Sequence, residues 1–167
     1  MGASAMTMIA VCGIKNSGKT TLIESLVSCL KARGKRVAVI KHDGHDFSCD
    51  LPGTDSARFS EAGAYGVAVF SAERIFVHKA GCGEDEHVLS ALFPEADIIL
   101  IEGLKDSEYP KIEVIRSGIS SVPASNPKGR FLIVTDHPAG SFDEECKGFE
   151  DIEDIADMVL RVKGTDA

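Results

Sequence analysis

Among its 167 residues the chain has no glutamine, no tryptophan and no C-x-x-C pair, and its basic residues are outnumbered. Each shortage excludes something. Without glutamine, one common side chain for orienting a reacting water is excluded from any site the chain builds. Eighteen Lys and Arg against 26 Asp and Glu give a formal charge of −8. That balance argues against nucleic acid as a partner, which would need a basic face. Lys31, Arg33, Lys35 and Arg36 do cluster, but at the end of an expected helix, where cations complement the dipole. The five cysteines (Cys12, Cys29, Cys49, Cys82 and Cys146) are odd in number and widely spaced, the pattern of reduced cytosolic thiols rather than of a disulfide framework. No apolar run reaches transmembrane length, and the N-terminus has neither a basic start nor a long apolar stretch. A cytoplasmic protein away from membranes is expected. With 44% hydrophobic and 26% charged residues, the composition is otherwise that of a soluble globular chain.

What is present is concentrated in one string. Gly13-Ile-Lys15-Asn16-Ser17-Gly18-Lys19-Thr20 satisfies G-x-x-x-x-G-K-[ST] at every fixed position. An apolar run, Met8 to Cys12, enters it as a buried strand, and Thr21 to Val27 leaves it with helical spacing. Gly13 and Gly18 let the chain curl so that successive N–H groups converge on one concave site, and the helix start adds its positive dipole end. Lys19 is positioned to reach β- and γ-phosphates, and the Thr20 hydroxyl to ligate Mg²⁺. Lys15, Asn16, Ser17 and Thr21 complete the cradle. The chemistry is that of a nucleoside triphosphate or diphosphate site.

Further along, apolar runs alternate with helical patterns, so the expected fold class is α/β. A mostly parallel sheet flanked by helices in the P-loop NTPase manner would form one domain over residues 1–167. The first helix should run from Lys19 to Arg33 with Gly34 as its stop, and Arg36 to Lys41 should be a second buried strand. Thr54 or Asp55 should cap a short helix through Glu61. Val67–Phe70 and Arg74–His78, separated by three residues, read as an inserted β-hairpin covering about residues 65–80, a candidate dimer interface. A helix over Asp85–Phe93 is expected, then strands over Asp97–Ile101, Lys111–Arg116 and Phe131–Thr135. Ser117–Lys128 reads as a surface loop, and Ile152–Val162 as a closing amphipathic helix.

Ligands gather at the carboxyl ends of parallel strands. Of the two acids around the apolar run Ile98–Ile101, Asp97 opens the strand and Glu102 ends it. Glu102 is therefore the candidate for contacting Mg²⁺ or polarising the attacking water. The segment from Lys41 through His42, Asp43, His45, Asp46, Asp50 and Asp55 concentrates His and Asp after the second strand. It reads either as a solvated polar loop with ordinary capping or as a γ-phosphate sensor, with Asp55 or His42 as the sensing group. A transition-metal site is a third reading. Asp136, at the end of a strand, could accept from guanine N1–H and the exocyclic amine. Asp136-His137-Pro138 is equally a good turn sequence, and residue chemistry alone leaves GTP and ATP both open.

These strings together resemble the molybdopterin-guanine dinucleotide biosynthesis protein B (MobB) family. The resemblance rests on Gly13–Leu22, Ile40–Phe47, Asp50–Ser56, Ala62–Ala64, Asp97–Lys105 and Pro110–Val114, and spans about residues 7–136. It implies a fold shared with MinD-type and nickel-enzyme accessory GTPases, GTP with Mg²⁺ as ligands, weak hydrolysis and a homodimer. It also implies assistance to MobA, the nucleotidyltransferase that joins GMP to molybdopterin. It favours Asp136 as the guanine reader and the hairpin as dimer surface. The chain departs from the MinD pattern in one place: Ile14 stands where those proteins carry a signature lysine, and Lys15 follows it. Two rival readings are a P-loop small-molecule kinase and a metallochaperone GTPase using His42, His45 and Asp46. Arg58 and Lys105 are candidates to complete charge neutralisation.

Overall fold

Strand β1 (Thr7–Cys12) is buried along its whole length, because it lies in the interior of a sheet covered on both faces. The computed structural model describes residues 6–42, 51–79 and 91–164, which divide into two compact units. The first unit, residues 1–42 and 90–167, carries the phosphate loop; the second is residues 43–89.

In the first unit, β1 is followed by α1 (Lys19–Ala32) and β2 (Val37–Lys41). The chain returns with β5 (Ile98–Glu102), β6 (Lys111–Ile115), β7 (Arg130–Thr135), the two-residue β8 (Cys146–Lys147) and α3 (Ile152–Arg161). The six strands pair in the order β2-β5-β1-β6-β7-β8, and every pair is parallel. Alternation sends Ile9, Val11, Ile98, Leu100, Ile112, Val114, Leu132 and Val134 to one face. Leu22, Ile23, Leu26 and Leu30 of α1 cover that face, together with Ile155, Ala156 and Val159 of α3. Their spacing of three and four residues makes one apolar stripe per helix. Gly34 stops α1 at φ +76°, and Arg33, its C-cap, reaches across to Asp157 (2.6 Å) and Glu153 of α3.

On the opposite face β6 carries two charged side chains inside the protein, Lys111 at 0% exposure and Glu113 at 1%. Lys111 donates to the carbonyls of Ser107, Asn126 (3.3 Å) and Lys128 (2.7 Å), and Glu113 accepts from the Ala124 amide at 2.7 Å. The loops that follow β5 and β6 are thereby tied over the strand that separates them.

The second unit holds α2 (Asp55–Glu61) and a hairpin of β3 (Gly66–Phe70) and β4 (Ile75–Lys79), antiparallel with Phe70 opposite Ile75. Thr54, not Asp55, caps α2, accepting from the Ala57 amide at 3.4 Å. β3 and β4 form a two-stranded sheet of their own.

One expectation needs correction. β2 was expected to be buried, but it is an edge strand in which only Ile40 is buried. β8 was not anticipated, since two residues carry no periodicity. The helix expected over Asp85–Phe93 falls, apart from its last three residues, outside the described residues.

Candidate phosphate and magnesium site

The loop between β1 and α1 is built on two glycines that no other residue could replace without movement. At Gly13 (φ +139°) a Cβ would meet the Val114 carbonyl oxygen at 2.5 Å and Ser17 Oγ at 2.7 Å. At Gly18 (φ +102°) it would meet Arg116 Nη2 at 3.0 Å. Asn16 also sits in the left-handed region, φ +64°, which asparagine tolerates better than most residues. These conformations turn the loop back onto the start of α1. That helix has Gly18 as N-cap, no side-chain cap and no acid in its first turn. Its leading amides lack intrahelical partners and face outward with the positive dipole end, which suits an anion. Lys19 Nζ donates to the Ile14 carbonyl at 2.7 Å, so the ammonium arches over the loop. Ser17 is fully buried, while Lys15, Asn16, Thr20 and Thr21 are exposed.

The candidate metal end of the site is set by register. β1 and β5 pair with Val11 opposite Glu102, so the acid that ends β5 lies beside the loop's entrance. Glu102 Oε2 accepts from Thr20 Oγ1 at 3.0 Å, and Glu102 Oε1 lies 4.0 Å from Lys41 Nζ of β2. A hydroxyl and a carboxylate sharing one spot are hard oxygen donors, the set Mg²⁺ takes when phosphates supply further ligands. The cradle that a Cβ would fill and this donor set both fit a Mg²⁺-nucleoside polyphosphate. The acid at the other end of β5, Asp97, is used structurally. It accepts from the Arg36 amide at 2.7 Å, and that bond, ahead of Arg36's charge, holds its carboxyl below the usual range.

Asp136 stands just past β7, at the same carboxyl edge of the sheet, and its Oδ1 accepts from the Ser117 amide at 2.6 Å. Asp55 belongs to the second unit, where it pairs with Arg58 at 3.5 Å. The His42 amide donates to the Glu102 carbonyl at 3.0 Å, while His45 and Asp46 lie outside the described residues. Among the described residues no three His, Cys, Asp or Glu groups come together as a metal cluster. Lys105 is exposed, and its carbonyl accepts from the Asn126 amide at 2.8 Å.

Two contributors were missed in the sequence. Lys41 approaches Glu102, and Arg116 donates from Nε to the Ser17 carbonyl at 3.2 Å with its guanidinium 4.2 Å from the centre of the Phe149 ring. Cys12, next to Gly13, donates to the Gly103 carbonyl at 3.0 Å, and burial, reinforced by the Glu113 charge, pushes its thiol up to about 12. A cysteine with that pKa is a packing residue rather than a nucleophile.

Known proteins share this architecture. The crystal structure of Bacillus subtilis MobB superposes with a TM-score of 0.77 at 26% identity, covering 96% of this chain and all of that one. The Escherichia coli (strain K12) molybdopterin-guanine dinucleotide biosynthesis adapter protein is 33% identical over 166 residues, 95% of this chain and 94% of the relative. The Haemophilus influenzae adapter protein of the same description is 31% identical over 91% of this chain and 86% of its own length. The family model described as molybdopterin guanine dinucleotide synthesis protein B (MobB) matches residues 8–136, from the second residue of β1 to the candidate guanine reader. A P-loop on a six-stranded parallel sheet, the Thr20–Glu102 hydrogen bond beside it and near full-length relatives at this identity agree, and the chain belongs to the MobB family.

Proposed function

We propose that this protein is a cytoplasmic GTP-binding adapter of molybdopterin-guanine dinucleotide biosynthesis, with weak GTPase activity, that assists a MobA-like nucleotidyltransferase. The observation that carries the reading is the Thr20–Glu102 contact of 3.0 Å beside the phosphate loop, in a chain of this family. Gly13, Lys15, Asn16, Ser17, Gly18, Lys19, Thr20 and Thr21 surround the phosphates, with Lys19 exchanging its Ile14 carbonyl for phosphate oxygen. Thr20 and Glu102 hold Mg²⁺, which when bound neutralises charge on the phosphate oxygens. Glu102 also orients water at the γ-phosphate, and Asp55 or His42 is the sensing group. Turnover is slow because the sequence has no glutamine to position that water.

Asp136 reads guanine. A two-pronged contact to N1–H and the exocyclic amine uses both carboxylate oxygens, and Oδ1 has a second lone pair beside the one that accepts from the Ser117 amide. The active form is a homodimer joined through the hairpin. A lone two-stranded sheet is marginal in water, and this one exposes Val69 (51%), Phe70 (81%), Ile75 (71%) and Val77 (53%). A second copy's identical hairpin covers both the apolar side chains and the open strand edge.

Calorimetric titration with Mg²⁺-GTP and Mg²⁺-ATP tests the reading, on the parent chain and on Lys19→Ala, with and without a MobA nucleotidyltransferase. GTP binding that Lys19→Ala abolishes, with ATP much weaker, is expected. Equal affinity for ATP overturns the guanine assignment, and unchanged GTP affinity in Lys19→Ala overturns the phosphate site. Sedimentation as a monomer at tens of micromolar would remove the dimer.

A further inference from the structure

Arg116 directly follows β6, the strand that pairs with β1 on the side away from β5. The register Cys12↔Glu113 therefore brings the end of β6 alongside the phosphate loop. Three observations meet there. Arg116 Nε donates to the Ser17 carbonyl at 3.2 Å. The guanidinium stacks over Phe149, a residue just ahead of α3, with 4.2 Å between its carbon and the ring centre. Gly18 faces both, since a Cβ there would lie 3.0 Å from Arg116 Nη2 and 3.5 Å from Phe149 Cε1.

The consequence follows from the peptide plane. In a trans peptide the carbonyl of Ser17 and the N–H of Gly18 point in opposite directions. A donor that draws the Ser17 carbonyl to one side directs the Gly18 N–H to the other. Arginine suits this task because its rigid fork donates from Nε while its flat face rests on an aromatic ring, which a lysine ammonium does not do. The guanidinium also puts a permanent positive charge behind the loop.

We propose that Arg116, held by Phe149, is a positioning residue of the phosphate site: through the Ser17 carbonyl it aims the Gly18 amide at the phosphate chain. This rests on the reading of the loop as a polyphosphate site and deepens it. The ligand part it serves is the phosphate tail and not the base. Its effect is therefore the same for GTP and for inorganic tripolyphosphate.

The test titrates both ligands, with Mg²⁺, into the parent chain, Arg116→Met, Arg116→Lys and Phe149→Leu, and records the Gly18 amide resonance of each by NMR. Losing a hydrogen bond from a charged donor should weaken both ligands in Arg116→Met by about 10-fold to 100-fold. Arg116→Lys should restore only part of this, and Phe149→Leu should cost about 2-fold to 5-fold. The Gly18 amide should shift on tripolyphosphate binding in the parent and not in Arg116→Met, a signature that a general loss of stability does not produce. Tripolyphosphate bound by Arg116→Met as tightly as by the parent, with the same Gly18 shift, overturns the proposal and leaves the site reading standing. A parent that binds neither ligand overturns both. Should Arg116→Met fail to fold, Arg116→Lys with parent-like affinity and an unchanged Gly18 resonance is equally fatal to the proposal.

Discussion

Replacing Gly13 by alanine isolates the steric logic of the phosphate loop. The new Cβ would stand 2.5 Å from the Val114 carbonyl oxygen and 2.7 Å from Ser17 Oγ, at φ +139°. Val114 belongs to β6, which is paired on both sides, by β1 and by β7, so its carbonyl cannot recede without disturbing the sheet. Gly34 supplies the control, since it too has a positive φ, +76°, but nothing lies within 4 Å of its added Cβ. Gly34→Ala should therefore cost only the left-handed conformation, about 1–2 kcal/mol. For a chain of this size that lowers the melting temperature by roughly 2–8 °C. Gly13→Ala adds overpacking against a fixed neighbour, about 1–3 kcal/mol more, for a total of about 2–5 kcal/mol. The corresponding fall in melting temperature is roughly 4–20 °C. If the loop moves instead to relieve the clash, stability is partly recovered but the converging amides are lost. Thermal melts and tripolyphosphate titration on the two variants separate these routes, and at least one of the two readouts must change more in Gly13→Ala. A Gly13→Ala protein that melts with Gly34→Ala and binds tripolyphosphate like the parent would refute the reasoning.

Two further outcomes are expected. Lys111→Met removes a fully buried cation from the carbonyls of Ser107, Asn126 and Lys128; leaving them short of a donor should cost about 1–3 kcal/mol in urea unfolding. Hydrogen exchange should quicken in the loops after β5 and β6 and not in α1; unchanged protection there contradicts the bracing role. The Cys12 thiol, moved from 9.0 up to about 12 by burial, should resist iodoacetamide at pH 8 in the folded protein while exposed Cys146 is alkylated. The folded value lies above the unfolded one, so this thiol costs no stability below about pH 9, and stability falls as pH climbs toward 12. Equal labelling of the two cysteines in a mass-spectrometric time course would contradict the burial argument.

Local pattern was enough wherever function depends on consecutive residues. The string Gly13–Thr20 states its own conformation, because its glycines permit the turn and the apolar strand before it and helix after it are visible as periodicity. Helix α1, the stop at Gly34, a cap at Thr54 or Asp55 and the hairpin were legible for the same reason, the structure choosing Thr54. Glu102 was legible too, as the polar end of an apolar run. Strand order was not. β2 looked as apolar as its neighbours, yet it proved to be an edge, since a sequence shows what a strand can bury and not who lies beside it. The partners of the site were hidden likewise. Arg116 meets Ser17 across 99 positions of chain, and Lys41 approaches Glu102 from a strand with no sequence link to it. Lys111–Arg116 was legible as a strand, but that Lys111 and Glu113 are interior depends on the loops folded over them. By itself, then, the sequence determined that a phosphate loop forms here and which residues compose it. Which groups orient that loop was decided by parallel pairing, which brings strands distant in the chain into register at one sheet edge.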